Sequence, residues 1–502
     1  MFRRIFFMNS HLLQDFRDDA LKASYENLTL FPASHTSHEA TRLLFVRAEG
    51  SSYLLAFGPG PLLDALQGDL AEGVKIAPAN HENRLVLNRF FPYTAPVANV
   101  EKRTSMGLGD RLGLATFGHI HALKGTKVFP IFAQQSIREL TMTNRTYEDV
   151  IDAAAYAVFA EGYTDGYGAD GDHLKSKADI LKELSIGATM ITLDSSEKID
   201  NTILDLNMEA LEEKYQLLSE ETRSYYEDKY LNKNTDLPGL SLPIGKEQLM
   251  RDVLTYGDSI SFIHEVYEEI ILPYEAPLDF EISIDETATP TNPISHYIIA
   301  KELKDRDIVI STMAPRFIGE FQKGIDYIGD LNAFREDIKA HVAIAEHFGY
   351  LISVHSGSDK FSIFPIVAEE THGRFHVKTA GTNWLEAVEV IAEKEPKLYR
   401  RLHTHALLRF QDATALYHVT TDLSKVPALD TVEDKNLPEY LRNDDARQLL
   451  HITYGYILED KNEKGDYLLK NDFFKALDKH LTHYFFHLEE HISKHLRLLS
   501  LK

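Results

Sequence analysis

The sequence predicts an α/β protein built on a (β/α)8 barrel of the TIM type, and three observations lead to that fold class. Eight short apolar runs lie between residues 104 and 396, each ends in polar or ionisable residues, and most are followed by a helical pattern. One such barrel takes roughly 250 residues and keeps its chemistry at the carboxyl ends of the strands. The chain therefore has room for one barrel and additional segments, and its catalytic face is expected at the strand ends.

The predicted strands and helices alternate along this region. Strands are predicted over 104–109, 128–133, 164–172, 188–194, 280–285, 308–312, 351–355 and 375–379. Helices are predicted over 147–161, 177–184, 331–347 and 384–393, with another beginning at Pro293. Strands that alternate with helical patterns in this way indicate a parallel sheet.

Segments outside the strand-helix units are predicted from their own patterns. The amino-terminal part is expected to form a small α+β cap, with a hairpin over 42–57 and another strand over 83–91. Segment 196–277 is too long for a loop between strands 4 and 5, so we expect a helical insertion there. The carboxyl-terminal part is predicted as a helical extension. The resulting division is a cap over 1–100, a catalytic barrel over 101–396 and an extension over 397–502.

The composition excludes several classes of site and partner. The chain has 502 residues, of which 44% are hydrophobic and 26% charged, which is ordinary globular usage. Its formal net charge of −24 repels nucleic acid and anionic membranes, so neither is expected as a partner, and an anionic substrate needs a local basic site. Cysteine is absent, which excludes disulfides, thiolate metal ligands and cysteine nucleophiles. A metal ion would need His, Asp, Glu or Gln ligands.

No targeting or membrane-spanning segment is expected. The first residues, MFRRIFFMNSHLLQDF, contain an apolar run that is too short for a secretory signal, and no small-residue cleavage site follows it. No stretch of about 18 apolar residues occurs. We therefore expect a soluble cytoplasmic protein, and its oligomeric state stays open.

Side-chain alternation along the strands selects the candidate catalytic residues. Successive side chains of a strand point to opposite faces, and the outer face of a barrel strand packs on helices. In strand 5 the apolar side chains share one face, so the acidic side chains point into the barrel. The inward-facing or rim candidates chosen in this way are Asp170, Asp172, His173, Glu281, Asp285, His355, His376 and Lys378.

The convergence of these side chains favours a bound divalent cation. Unpaired acids in a core would cost on the order of several kcal/mol each, and a cation is the simplest way to hold imidazoles and carboxylates together. His173 and His355 are the preferred ligands, and Glu320 in the loop after strand 6 is expected as the third. The alternative is a satisfied hydrogen-bond layer inside the barrel, with Glu320 on the surface. Such ligands accept Zn, Mn, Ni, Co or Fe.

Two glycine-bearing turns follow strands 7 and 8 and are candidates for binding a substrate anion. They read HSGSDK (355–360) and TAGTN (379–383). In barrels these two loops commonly hold a phosphate or carboxylate through backbone N–H groups. The alternative is that they supply ordinary helix N-caps at Ser358 and Thr382. The expected substrate-binding residues are Gln134, Ser356, Gly357, Lys378, Thr379 and Gly381.

A histidine stripe near the carboxyl terminus is the strongest remaining signal. Its members, spaced along one helical face, are His480, His483, His487, His491 and His495. Histidines four residues apart can bind a metal ion, but a packing or solvated face is favoured because no catalytic strand end is expected nearby. The sequence GLGDR (107–111) lacks the third glycine of a dinucleotide loop, so we discount that motif.

Together, these motifs resemble the tagaturonate epimerases, a bacterial sugar-acid family that also includes relatives acting on neutral ketoses. The resemblance spans the predicted barrel. It rests on SMGLGDRLGLATFGH (105–119), GADGDHLK (168–175), FEISIDETATPTNP (280–293), APRFIGEFQKGIDYIGD (314–330), SVHSGSDKFS (353–362) and FHVKTAGTNWLEA (375–387). One departure is Phe117, which stands where a proline is typical.

The resemblance implies a divalent-metal-dependent isomerase that interconverts D-tagaturonate and D-fructuronate in hexuronate (galacturonate) breakdown. It implies Asp172 as the base and His173 and His355 as metal ligands. An acid of strand 5, either Glu281 or Asp285, is implied as the proton donor. The expected mechanism removes and returns a proton at the carbon beside the ketone, with the metal ion stabilising the enediolate. A retro-aldol route or a hydride transfer would give the same product, and the lack of a good nicotinamide loop argues against hydride transfer.

Three alternatives remain open at this point. One is a metal-dependent epimerase or isomerase acting on a neutral or phosphorylated ketose such as fructose or tagatose, for which the substrate carboxylate is dispensable. Another is a class II aldolase, which would release three-carbon products. The third is a noncatalytic sugar-binding or scaffold protein that keeps the barrel, which metal-dependent turnover would exclude.

Overall fold

Fifteen strands and nineteen α-helices make up the computed structural model, which describes residues 10–379, 381 and 383–502. The strands are β1 (Leu28–His38), β2 (Thr41–Ala48), β3 (Ser51–Phe57), β4 (Asp69–Ala71), β5 (Val74–Pro78), β6 (Ser105–Leu108), β7 (Phe129–Ser136), β8 (Gly168–Leu174), β9 (Met190–Asp194), β10 (Asn234–Leu237), β11 (Leu240–Pro243), β12 (Asp279–Ile284), β13 (Thr312–Pro315), β14 (Leu351–Val354) and β15 (Phe375–Thr379).

The helices surround the strands and dominate the last hundred residues. They are α1 (Ser10–Arg17), α2 (Pro61–Ala65), α3 (His81–Phe90), α4 (Thr116–Leu123), α5 (Ile137–Thr143), α6 (Tyr147–Glu161), α7 (Lys177–Ile186), α8 (Met208–Gln216), α9 (Glu220–Tyr230), α10 (Lys246–Val266), α11 (Pro293–Asp305), α12 (Leu331–Phe348), α13 (Phe364–Glu370), α14 (Asn383–Lys394), α15 (Pro396–Thr414), α16 (Asp444–Ile452), α17 (Tyr454–Glu459), α18 (Lys470–Lys479) and α19 (Leu481–Leu498).

A closed parallel barrel forms the centre of the fold. Its strands are hydrogen-bonded in the order β12-β13-β14-β15-β6-β7-β8-β9, and β9 pairs with β12 to close the ring. The apolar side chains of β12 are buried on the outside against helices, while Glu281 points inward, as strand alternation predicts. The predicted (β/α)8 fold class is confirmed.

The sixth barrel strand lies later in the chain than predicted. The apolar run 308–312 was expected as the strand, but pairing with β12 begins at Thr312 opposite Glu281 and continues to Pro315. Ile308 and Ile310 are buried whereas Val309 is 65% exposed, so this run is the irregular approach to the barrel. The prediction of this strand's end at Thr312 and Met313 is therefore wrong.

An antiparallel sheet precedes the barrel, with strand order β1-β2-β3-β5-β4. The predicted hairpin over 42–57 is present as β2 and β3. The strand predicted over 83–91 is wrong, because this segment forms α3. The Asn80 side chain caps α3 by accepting the N–H of Asn83, whose own buried side chain donates to the carbonyls of Gln67 and Pro78.

The insertion between β9 and β12 is helical, as predicted, and also contains the antiparallel hairpin β10–β11, which was not predicted. It is anchored on α11 outside the barrel. Tyr230 and Lys229 of α9 each donate to Glu302 of α11 at 2.6 Å. The buried Glu302 carboxylate therefore joins the insertion to the helix that follows β12.

The carboxyl-terminal helices pack against the barrel helices, and α19 approaches α4 closely. A Cβ atom placed on Gly118 of α4 would lie only 2.5 Å from Cβ of Leu488 in α19. The ring of Phe117, the departure from the expected proline, stacks on Phe485 with centroids 5.0 Å apart. Across the ranges that the structure describes, no helix has the length and apolarity needed to cross a membrane.

Candidate active site

A cavity of about 480 Å³ opens at the carboxyl ends of the barrel strands. This is the face on which a (β/α)8 barrel carries its chemistry. The predicted residues that line it are Gln134, Asp172, His173, Asp285, Glu320, His355, Ser356, Lys378 and Gly381. The other predicted candidates are not among the described residues of the cavity wall; they are Asp170, Glu281, Gly357, His376 and Thr379.

Lys378 lies inside the barrel in a ring of acids. Its ammonium donates to Asp170 Oδ2 at 2.8 Å and to Asp172 Oδ1 at 2.7 Å, and it lies 3.0 Å from Glu281 Oε1. Burial raises the pKa of Asp170 to about 6. Burial also raises the pKa of Asp172, but the Lys378 ammonium together with the His173 and His355 rings outweighs burial and brings the value to about 2. Asp172 is therefore ionised at neutral pH, as a proton acceptor must be.

His355 is held by a carboxylate on each side of its ring. Its Nε2 lies 2.7 Å from Glu281 Oε1, and Glu281 also accepts the hydroxyl of Thr312 at 2.6 Å. Its Nδ1 lies 3.3 Å from Asp285 Oδ2 without hydrogen-bond geometry. Burial lowers the pKa of His355, but the Asp285 and Glu281 carboxylates outweigh it and raise the value to about 10. This ring therefore sits where positive charge is favoured.

His173 brings a second imidazole to the same place. Its backbone is left-handed, with φ of 56°, and its ring centroid lies 4.8 Å from that of His355. One ligand atom each from His173, Asp285 and His355 lie within 4.8 Å of one another. Among the described residues, the buried Nδ1 atoms of both histidines lack a hydrogen-bond partner. Two imidazoles and a carboxylate with free ligand atoms fit a transition-metal ion.

Glu320, the expected third ligand, is not brought together with the two histidines. Its side chain is 45% exposed, and its nearest ionic partner is His418, at 3.9 Å. Its backbone pairs with Ile328 in both directions, which holds this loop at the outer part of the cavity. Asp285 occupies the place beside His173 and His355 that was expected for Glu320.

The turns after β14 and β15 offer less to an anion than predicted. The N–H of Gly357 donates to the carbonyl of Lys378 at 2.9 Å, and the hydroxyl of Thr379 donates to Gly107 at 2.8 Å. Both groups already have hydrogen-bond partners within the protein, and the Lys378 ammonium is surrounded by carboxylates. Ser356 and Gly381 do reach the cavity. Ser358 does not cap α13, whose N-cap residue is Ile363, and Thr382 lies outside the described residues.

Gln134 is placed where it can contact a substrate. Its Nε2 lies 3.5 Å from Asp172 Oδ2, and its buried Oε1 has no partner in the described part of the chain. The neighbouring strand makes room for it, since a Cβ atom on Gly107 would lie 1.9 Å from that oxygen. Gly107 therefore permits Gln134 to point into the cavity.

Several cavity residues were missed by reasoning from the sequence. Asp194 ends a predicted strand but was not chosen, although its Oδ2 lies 3.5 Å from His173 Nδ1. Lys323 and Arg138 lie in irregular or exposed segments, where no periodic pattern marks them. Lys360 was part of a predicted anion loop, but its ammonium donates to three backbone carbonyls instead.

The barrel and its cavity define an enzyme site with an ionised carboxylate and a group of side chains that can hold a metal ion. The family model of UxaE, tagaturonate epimerase, matches residues 31–499. The chain therefore belongs to the tagaturonate epimerase family, whose members are isomerases.

Named relatives agree with this assignment along almost the whole chain. The chain is 41% identical over 469 residues to the tagaturonate/fructuronate epimerase of Thermotoga maritima, with 93% of each chain covered. It is 50% identical to the fructuronate-tagaturonate epimerase UxaE of Cohnella laeviribosi. The native crystal structure of that protein superposes with a TM-score of 0.95 and covers 99% of this chain and 100% of its own. Its structure with one glycerol bound superposes with the same score.

Proposed function

We propose that this protein interconverts D-tagaturonate and D-fructuronate with the help of a divalent metal ion, as a step in hexuronate breakdown. The observation that carries the proposal is the convergence of His173, Asp285 and His355 beside the ionised Asp172 in one cavity. The two proposed substrates are the ones in the names of the relatives. A cytoplasmic location, as expected from the sequence, belongs to the same proposal.

His173, Asp285 and His355 would hold the ion, which supplies stabilisation of the negative charge that develops on the substrate's ketone oxygen. Glu281 has a positioning role in this proposal. By accepting the Nε2–H of His355 at 2.7 Å, it directs the Nδ1 of the same ring toward the ligand group. Glu281 lies beneath the cavity and is held ionised by Lys378 and His355, so it is poorly suited to the role of proton donor.

The structures of the two sugars correct the mechanism expected from the sequence. Both sugars carry the ketone at C2 and differ in configuration at C4. The carbon beside the ketone is C3, so removing and returning its proton leaves C4 unchanged. A base that inverts C4 must therefore act on another bond.

The bond that the ketone weakens is the one between C3 and C4. When the Asp172 carboxylate accepts the proton of the C4 hydroxyl, this bond can break to give a three-carbon enediolate and a three-carbon aldehyde. Turning the aldehyde over before the bond re-forms, with Asp172 returning the proton to the C4 oxygen, inverts C4. Lys378 keeps Asp172 in the ionised state that accepts the proton, and Gln134 Nε2 donates to the other oxygen of the same carboxylate at 3.5 Å.

Metal-stripped and metal-restored protein incubated with D-tagaturonate, with fructuronate followed by chromatography, tests the proposed function. Metal-dependent conversion is expected. Absence of conversion with Zn, Mn, Ni, Co and Fe would contradict it, and fructose and tagatose would then test the neutral-ketose alternative. Release of three-carbon products into solution would instead indicate an aldolase.

The same conversion in deuterium oxide tests the bond that is broken. Cleavage between C3 and C4 leaves the original hydrogen on C4, so the product should carry protium at that carbon. Deuterium at C4 would show that a proton is removed from C4 itself and would exclude bond cleavage as the route.

A further inference from the structure

Most of the positive charges around the cavity are already engaged by the protein. Lys378 is surrounded by Asp170, Asp172 and Glu281, and Lys175 pairs with Asp194 and Glu286. Lys360 gives its three protons to backbone carbonyls. None of these ammonium groups is well placed to attract a further anion.

Lys323 differs from these lysines. Its half-buried ammonium reaches the cavity and donates to Ser356 Oγ at 3.1 Å. Within the described parts of the chain, no carboxylate lies within ion-pair distance of it. Burial lowers the pKa of Lys323, and the nearby Arg111 and Arg138 guanidinium groups lower it further, although Glu139 and Asp172 oppose them. The position therefore carries positive charge that the protein only partly compensates.

Arg138 extends this positive region at the cavity wall. Its guanidinium donates to the carbonyl of Leu416 at 3.4 Å and lies 5.6 Å from the ring of Tyr417. Among the ion pairs formed by the described residues, none involves Arg138. Because the whole protein carries a net charge of −24, an anionic substrate gains from local uncompensated cations at the cavity.

We propose that Lys323, supported by Ser356 and Arg138, binds the carboxylate group of the sugar acid and so sets the preference for uronates over neutral ketoses. This inference rests on the proposed function and moves the carboxylate site from Lys378, where the sequence placed it, to Lys323. Ser356 directly follows His355, so one loop contacts both the metal ligand group and the carboxylate end of the substrate. An ammonium and a hydroxyl side by side provide charge-assisted hydrogen bonds to a carboxylate.

The test compares Lys323→Gln with Lys323→Arg and with Lys301→Gln as a matched control. Lys301 pairs with Asp305 on the outer surface of α11, so its replacement removes one charge away from the cavity. For Lys323→Gln we expect kcat/KM on D-tagaturonate to fall on the order of tenfold to hundredfold, mostly through KM, since a hydrogen bond to a charged group is lost. Lys323→Arg should retain most of the activity, and Lys301→Gln all of it.

A neutral substrate separates recognition of the carboxylate from a structural role. Binding of D-tagatose, measured by turnover or by competition, should change less than twofold in Lys323→Gln. An equal loss on both sugars, or an unchanged KM for tagaturonate, would overturn the assignment. If the unaltered protein does not convert tagaturonate, the proposed function fails instead, so the two failures are distinguishable. Equal thermal midpoints would show that the variants are folded.

Discussion

At the scale of single residues, the open question is whether Glu281 of β12 acts on the substrate or orients His355, a proposed metal ligand. It is fully buried, accepts from His355 and lies outside the cavity wall that the described residues form. If it orients His355, Glu281→Gln should weaken divalent-metal binding about tenfold to a hundredfold, as replacement of such partners typically does. Equilibrium dialysis with Zn or Mn gives the dissociation constant.

Glu302→Gln provides the matched control, because Glu302 is equally buried and hydrogen-bonded but belongs to the anchor of the insertion on α11. It should lower stability and leave metal affinity unchanged. Unchanged metal affinity in Glu281→Gln, together with a large loss of kcat, would instead favour Glu281 over Asp285 as the proton donor, a choice that the sequence left open.

At the level of secondary-structure elements, the contact between α4 and α19 depends on a glycine. A Cβ atom on Gly118 would lie 2.5 Å from Cβ of Leu488 and 3.0 Å from the carbonyl oxygen of Phe485, so the helices would have to separate. Gly118→Ala should lower the free energy of unfolding by about 1–3 kcal/mol, the usual cost of overpacking. Chemical denaturation measures this change.

Gly257, in the middle of α10, is the matched control, because a Cβ atom there meets no heavy atom within 4 Å. Gly257→Ala should raise the free energy of unfolding by roughly 0.5–1 kcal/mol, since alanine favours the helix more than glycine does. If both substitutions raise the free energy of unfolding, the contact between α4 and α19 has room for a methyl group at Gly118, and the overpacking argument is wrong.

Most of the fold was predictable because barrel elements leave strong local patterns. Helix α6 agrees with the predicted 147–161, where its apolar period is regular and Thr146 and Gly162 mark its ends. The segment that forms α3 was mistaken for a strand. Its local cap at Asn80 was overlooked, and the burial of Asn83 depends on the carbonyls of Gln67 and Pro78, which the local pattern does not show. The sixth strand was misplaced because a short apolar run does not distinguish a strand from its approach.

The candidate site was predictable in position but less so in the roles of its residues. Alternation correctly pointed Glu281, His355 and Lys378 into the barrel. Strand patterns do not contain distances between strands, so they could not show that three acids surround Lys378 or that Asp285 lies beside the histidines. Lys323 lies in an irregular loop, where charge compensation is visible only after folding.

Over the whole molecule, the histidine stripe connects the last helix to the catalytic end of the barrel. No strand end was expected near it, yet His491 Nε2 lies 3.0 Å from Asp359, in the loop after β14. His495 Nε2 accepts the backbone N–H of the same Asp359 at 3.2 Å. The stripe therefore packs α19 against the loop that carries His355.

These two histidines, one turn apart, should give opposite pH dependences of stability. Burial lowers the pKa of His495 to about 3, so the folded protein keeps this ring neutral. Its contribution to stability is present above the unfolded value near 6.5 and is lost as the pH falls toward 3. At His491 burial lowers the pKa, but Glu386 and Asp359 outweigh it and raise the value. That contribution is present below about 6.5 and is lost as the pH rises through the raised pKa.

The slope of unfolding free energy against pH, obtained from denaturant titrations at a series of pH values, separates the two effects. Between pH 6 and 4, His495→Gln should reduce the acid-side slope by up to about 1.4 kcal/mol per pH unit, which corresponds to one proton. Glutamine can still accept the N–H of Asp359 and donate to the carbonyl of His491, so the fold contacts are retained. His491→Gln should leave that slope unchanged and instead reduce the loss of stability above pH 6.5. Slopes equal to those of the unaltered protein in both variants would show that neither ring changes its protonation on unfolding.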